Sequence, residues 1–299
     1  LSYYENGNIK IKVAYENGQV NGKAEYFYDS GEKHTEGFLQ NGKMVNKWNS
    51  YYISGQIQGV AQYQNGKIEG DLIAYYENGN IKKKITYQNG QANGQAEHFY
   101  ESGKKKTEGF YQHGNKANKW TTYYENGQIE NISNYKNDEL DGELIAYFGN
   151  GNIKGKINYE NGRENGTAES FYESGVKRTA GLYQNGNKVN KWTTYYENGQ
   201  LKEEKFYKDG KTEGELISYY QSGNLKGKIT YKNSQANGKT EYFYESGEKQ
   251  IEAFLQNGNL TNKWSSYYKN GQLKEEKFYK DDKLDGESSE YYINGNIKT

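Results

Sequence analysis

The chain has 299 residues, of which 32% are hydrophobic and 16% aromatic, with 33 Tyr, no Pro and no Cys. That apolar share falls below the roughly 45–50% of ordinary globular domains and is mostly amphipathic ring, so a thick aliphatic core is excluded and a thin structure is expected. Thirty-nine basic residues balance 39 acidic ones, which gives no basic footprint for nucleic acid and no polybasic patch for a membrane surface.

The first element is a pair of rings, Tyr3 and Tyr4, followed by the turn Glu5-Asn6-Gly7. Residues 9–15, IKIKVAY, alternate apolar and polar and predict a strand. A second turn, Glu16-Asn17-Gly18, leads to KAEYFY at 23–28, again alternating and ring-rich. The pattern then returns at the Tyr3-to-Phe27 interval along the whole chain, without insertion or deletion. Its first ring is Tyr3, Phe27, Tyr51, Tyr75, Phe99, Tyr123, Tyr147, Phe171, Tyr195, Tyr219, Phe243, Tyr267 and Tyr291. The second ring is Tyr in every copy except Phe148. A third ring follows within each unit, as Tyr15, Tyr63 and Tyr87, with Leu39 and Leu255 as exceptions. One glycine register, Gly7 to Gly295, is unbroken, and the other, from Gly18, is broken at Asp138, Ser234 and Asp282.

Each unit therefore holds two turns and two runs. The runs are too short for stable helices, and Asn-Gly between ring-rich, alternating runs is a hairpin signal. KEEKFYK (202–208 and 274–280) has helical propensity in isolation, but its phase matches IKIKVAY, so a strand is expected there. The second connection, ENGQVNG at 16–22, is expected to be the longer loop. It would fold one apolar side chain (Val20, Met44, Ile68, Leu140, Leu260 or Leu284) over the sheet, and Lys116, Glu164 and Lys188 depart from that rule. Trp48, Trp120, Trp192 and Trp264 recur at every third unit, each in NKW, so three unlike hairpins form a cassette. The expected architecture is one continuous array over 1–299, about 12.5 units long, in which each hairpin meets only its neighbours.

At the stretch YQNGKIEGDLIAYYENG (63–79) the chain resembles the MORN-repeat superfamily, and more narrowly the bacterial MORN-variant repeats labelled YwqK-like antitoxin. The resemblance covers essentially the whole chain. It implies tandem antiparallel hairpins in an elongated twisted sheet, and proteins that act as scaffolds or contact surfaces. The second-loop glycine, Gly22 or Gly70, is replaced by Asn46, Asn118, Asn190 and Asn262. Asn tolerates positive φ, so the turn should survive.

The fold expected is thus all-β, a single-layer twisted antiparallel sheet of 24-residue hairpins. Two strands per unit add roughly 10 Å, giving a rod on the order of 120 Å, curved or helically twisted. Alternate side chains face opposite ways. Tyr28 and its equivalents should lie inward beside Ala24, Trp48 or Leu72 and the third ring, leaving the row from Tyr3 and Phe27 to Tyr291 the more exposed. That row and the four tryptophans are the candidate partner-binding residues. The competing reading is structural: cross-strand ring packing for the row, and large–small filling for Trp against Ala and Leu. Lys and Glu are expected to form solvated faces and cross-strand ion pairs.

No catalytic constellation is present. His34, His98 and His113 follow no register and lack metal-ligand spacing, and are expected to be isolated surface residues. NDELDGE (137–143) lacks the regular spacing of calcium loops. No cofactor, metal or nucleic acid is expected, and membrane lipid is disfavoured. The function expected is a non-catalytic scaffold or binding module for a protein or glycan partner, outside the cell or on a bacterial surface rather than in the cytoplasm. Two other readings are end-to-end homo-assembly through terminal strand edges and an antitoxin-type intracellular binder. The chain opens at Leu1 already inside a repeat, so the lack of a leader says nothing about its address.

Overall fold

The computed structural model describes residues 1–298. They contain strands, turns and bends but no helix. The strands form two compact units, Leu1–Gly151 and Asn152–Thr299. The first holds β1 (Ser2–Tyr3) through β14 (Gly142–Tyr147), and the second β15 (Ile153–Glu160) through β26 (Lys283–Glu290). Within each unit successive strands pair antiparallel, as β2 (Ile9–Glu16) does with β3 (Gln19–Phe27), and β3 with β4 (Lys33–Gln40). Among the described residues no second layer covers either face, and no large side chain is completely buried.

The helix-prone KEEKFYK segments are β19 (Leu201–Lys208) and β25 (Leu273–Lys280). Ladder pairing with both neighbours overrides their local preference.

The two connections exchange the roles expected of them. The second is a two-residue turn: Asn17 (φ 52°) and Gly18 (φ 77°) are both left-handed, and Glu16 pairs with Gln19. Positive φ at both central residues is the type I′ geometry that matches strand twist. Asp138, Ser234 and Asp282 hold it too, at φ 64–67°. Val20 is accordingly a strand residue opposite Tyr15, not a loop residue folded back. What looked like extra loop is a bulge inside the strand: between Val13↔Ala24 and Tyr15↔Val20 the second strand carries surplus residues, with Gly22 at φ 100°. Asn46, Asn118, Asn190 and Asn262 sit there at φ 57–60°, so the turn expected to tolerate Asn is this bulge.

The wider connection is the one after the ring pair. Over Tyr4–Asn8 the Tyr4 N–H donates to the Asn8 carbonyl at 2.8 Å, and the Gly7 N–H to the Tyr4 carbonyl at 3.0 Å. Its tyrosine is tied forward: the Tyr4 hydroxyl donates to the Phe27 carbonyl at 2.8 Å. The same bond recurs in the first unit from Tyr28, Tyr52, Tyr76, Tyr100 and Tyr124. In the second it recurs from Tyr172, Tyr196, Tyr220, Tyr244 and Tyr268. Donor and acceptor always stand at the same separation along the chain, so within each unit a wide turn that carries the tyrosine is fastened to the next; Phe148 has no hydroxyl to offer.

Candidate binding faces

Strand alternation sorts the side chains onto two faces, and the packing contacts identify them. Ala24, Leu39 and Trp48 form one buried cluster, with Val13, Val20, Tyr26, Met44 and Tyr63 against it. Ile85, Ala96 and Trp120 form the next. This is the ring face. Lys23, Glu25, Lys33, Glu36 and Tyr51 lie together on the opposite, ion-pair face.

The tryptophans follow the large–small alternation on the ring face. The Trp48 indole N–H donates to the Phe38 carbonyl at 3.2 Å, and Trp120 and Trp192 repeat the bond to Phe110 and Leu182. Each of these indoles lies flat against a strand glycine, Gly37, Gly109 or Gly181, where any Cβ would enter the ring. Their edges meet the third tyrosine register: Trp48–Tyr63 at 6.3 Å and Trp120–Tyr111 at 5.1 Å, both edge-on. Trp48 and Trp120 are each 5% exposed, while Trp192 and Trp264 are half-buried. Lys116 and Lys188, which break the apolar rule for their register, place their ammonium groups 4.7 and 4.2 Å from the indole centroids of Trp120 and Trp192. A lysine stem with a cation over a ring substitutes for Met44 over Trp48.

Tyr28 and its equivalents are on the ring face as expected. The row expected to be more exposed is on the ion-pair face, but only Tyr3 is open to solvent, at 57%, and Phe27 through Tyr291 are half-buried. The physical reason is local. The Tyr51 and Tyr123 hydroxyls donate to Glu36 and Glu108, which draws the rings down onto the sheet. Lys33 bridges Glu25 and Glu36, and Lys105 bridges Glu97 and Glu108. The Glu36 carboxyl is held down to about 2, first by the Lys33 hydrogen bond and then by the Tyr51 hydroxyl.

Two of the three histidines, His34 and His113, are exposed as expected, and His98 is not. His34 is the surplus residue of β4 at the register shift between Tyr26 and Phe27, and its ring meets that of Tyr28 at 4.6 Å, tilted by 52°. His113 takes the Asn place of a tight turn, at φ 51°. His98 is half-buried on the ring face, its proton affinity lowered by burial and then by Lys83, Lys116 and Lys106. Reading the 24-residue registers for position, rather than only for rings, would have found all three. No group of three or more His, Asp or Glu suited to a metal occurs among the described residues.

In the first unit, ion pairs gather on the ion-pair face: Lys12–Glu25, Lys84–Asp71 and the Lys33 and Lys105 bridges. On its ring face Lys82, Lys83, Lys106 and Lys116 have no carboxylate partner among the described residues, and Glu130 is the acid that the strand interiors place there. A groove of about 620 Å³ opens on this face over Gly59, Ala61 and Ala74, between Trp48, Tyr52 and Tyr63 on one side and Lys83 and His98 on the other. Sequence reasoning missed it because net charge and ring spacing do not report which side of a strand a charge takes.

The profile of the MORN repeat variant matches residues 1–17, 68–89, 92–113, 118–137, 140–161, 188–209, 212–233 and 260–281. No curated protein matches the chain. Among solved structures the chain is similar to the crystal structure of TcdB2-TccC3-Cdc42, at 14% identity over 97% of this chain and 17% of that one, with a TM-score of 0.19. It is also similar to that of TcdB2-TccC3-TEV, at 14% identity over 98% of this chain and 17% of that one, with a TM-score of 0.20. The chain thus spans under a fifth of those chains, and a likeness at these scores carries no weight for fold or function. Matched in eight segments that together cover more than half of its length, and built of the antiparallel hairpins those segments encode, the chain belongs to the MORN repeat variant family.

Proposed function

We propose that this protein is a non-catalytic repeat scaffold whose ring face docks a protein or glycan partner. The repeat family and the tandem-hairpin fold support a scaffold or binding module. The observation that carries the choice of face is the asymmetry of charge. In the first unit the ion pairs lie on the ion-pair face, while on the ring face Lys82, Lys83, Lys106 and Lys116 form no salt bridge among the described residues and stand over or beside aromatic rings. Charge left unanswered inside a protein is available to a partner, and an exposed ring-rich surface is a common contact site.

The test uses two triple variants and one panel of immobilised glycans and proteins. Lys82, Lys106 and Lys116 to Gln strips the ring face, and Tyr51, Tyr75 and Tyr123 to Ser strips the other. The ring-face variant should bind at least about tenfold more weakly while still melting cooperatively, its melting temperature lowered only by the loss of the Lys116 contact with Trp120, since one ion-pair interaction of about 1.4 kcal/mol is worth that factor. Binding that survives the ring-face variant but falls with the tyrosine variant moves the site to the other face, and binding indifferent to both overturns the reading.

A further inference from the structure

The groove over Gly59, Ala61 and Ala74 is larger than its counterpart one cassette on, a hollow of about 300 Å³ lined by Trp120, Asn131, Ser133 and Tyr135. At the same register of the later cassettes, Gly59 becomes Asn131, Glu203 and Glu275, and Ala61 becomes Ser133, Lys205 and Lys277. In the second unit the site is therefore occupied by the protein's own side chains: Lys277 pairs with Glu275 at 2.5 Å, and Lys205 lies 5.7 Å from the Tyr207 ring centroid. In the first cassette the same place, over Gly59, Ala61 and Ala74, has no side chain beyond a methyl, and its volume of about 620 Å³ is in the range of small-molecule sites.

The surroundings specify the chemistry. The floor is the C–H surface of a paired sheet, whose backbone groups are already bonded to neighbouring strands. The walls are the rings of Tyr52, Tyr63 and Trp48, with Thr35, Ser50 and Gln58 supplying hydroxyl and amide groups. At one end stand Lys82, Lys83 and His98, and Lys82 is held 5.5 Å over the Tyr76 ring. The strands here are interior, so a peptide has no free edge to extend. An acyl chain would leave the hydroxyl and amide groups without partners. A sugar ring satisfies all three features, with a C–H face for the floor and rings, hydroxyls for the polar walls and a carboxylate for the cationic end.

We infer that the groove between Tyr52, Tyr63 and Lys83 binds an acidic glycan, a chain of uronate sugars whose carboxylate lies against Lys82, Lys83 and His98. This rests on the ring face being the contact face. It adds a ligand class and a location that the scaffold reading does not contain.

The full chain should be titrated calorimetrically with a uronate oligosaccharide and with its carboxyl-reduced, neutral counterpart. Poly-glutamate and phosphatidylserine vesicles serve as other anion sources. Two double variants address the site. Gly59→Glu with Ala61→Lys fills it as Glu203 and Lys205 do, a combination the fold already carries. Lys82→Gln with Lys83→Gln removes the charge and leaves the cavity. Expected are at least tenfold weaker binding of the acidic sugar by each variant, and at least tenfold preference for it over the neutral sugar. Equal binding by the filled variant, equal binding of the neutral sugar, or tighter binding of poly-glutamate or vesicles overturns the inference. If the acidic sugar fails to bind while the ring-face variant of the preceding test still loses its partner, this inference falls and the scaffold reading stands. If both fail, the contact face itself is wrong.

Discussion

Trp120 in the first unit and Trp264 in the second occupy the same register, yet they are held differently. Trp120 lies on Gly109, donates to the Phe110 carbonyl, meets the edges of Tyr111 and Tyr135, and carries Lys116 above it. At the corresponding places around Trp264 stand Ala253, Leu255 and Leu260. Among the described residues Trp264 has no such indole hydrogen bond, and it is half-buried where Trp120 is 5% exposed. Against the face of the indole the difference is one methyl, that of Ala253, and around its edge Leu255 and Leu260 replace Tyr111 and Lys116. Glycine inside a strand is a weak choice, costing roughly 0.5–1 kcal/mol relative to Ala. Here the missing Cβ lets an indole approach the backbone closely enough to bury its face and satisfy its N–H. The lesson is that these strand glycines serve packing, while the glycines at positive φ serve the turns and the bulges.

Exchanging the two seats should give the largest effect. Gly109→Ala puts a methyl inside the Trp120 ring and should destabilise the β10–β11 region (Lys105–Gln112 and Asn115–Tyr123) by about 1–3 kcal/mol, the usual cost of overpacking. Ala253→Gly should change stability by no more than about 1 kcal/mol, because strand flexibility offsets a better seat. It should nevertheless shift Trp264 emission to the blue in a variant whose other three indoles are Phe. Hydrogen exchange at these strands checks the first, and a Gly109→Ala protein with native protection would break the comparison.

A smaller effect sharpens it. The tyrosine hydroxyls that fasten the wide turns are alike near both indoles: Tyr100 donates to the Tyr123 carbonyl at 2.7 Å and Tyr244 to the Tyr267 carbonyl at 2.8 Å. Tyr100→Phe and Tyr244→Phe should each cost about 1 kcal/mol, the ordinary net worth of one hydrogen bond. Unequal costs in thermal unfolding would show that the indole seat and the turn fastening are coupled.

The smallest effect is electrostatic. The folded Glu36 carboxyl is held at about 2, from an ordinary 4.5, by Lys33 and then Tyr51. A depressed carboxyl contributes stability above its unfolded value, and that contribution disappears as pH falls from about 4.5 towards 2. Glu36→Gln should therefore flatten the acid limb of the stability curve in that window by under about 1 kcal/mol, because the pair is partly solvated. Glu252 is lowered in the same direction by Lys249. Glu252→Gln should act alike, and acid titrations of the two variants that diverge in sign would contradict the assignment.

The strands, their period and the ring-face place of Tyr28 were legible in the sequence, because a side-chain period of two and a unit of fixed length leave little freedom. The swapped turns were not. Asn-Gly occurs at both connections, and only backbone torsion distinguishes the tight turn at Asn17-Gly18 from the wider one at Tyr4–Asn8. The bulge at Gly22 was hidden for the same reason, since a surplus strand residue has the composition of a loop. The groove escaped notice because small residues at 59, 61 and 74 carry no signal until the later copies, with Glu203 and Lys205, show what the place can hold.

The phenol that reaches ahead from one wide turn to the next also acts as a ruler. Adding or removing a single amino acid between those turns would leave that hydroxyl pointing at the wrong peptide group and invert the sidedness of the strand beyond. Excising one whole unit, from one second ring to the next, would return an equivalent tyrosine to an equivalent carbonyl. The molecule can change its length in whole steps far more readily than in fractions of one, and its gene should tolerate deletion of an entire repeat where it rejects deletion of a lone codon.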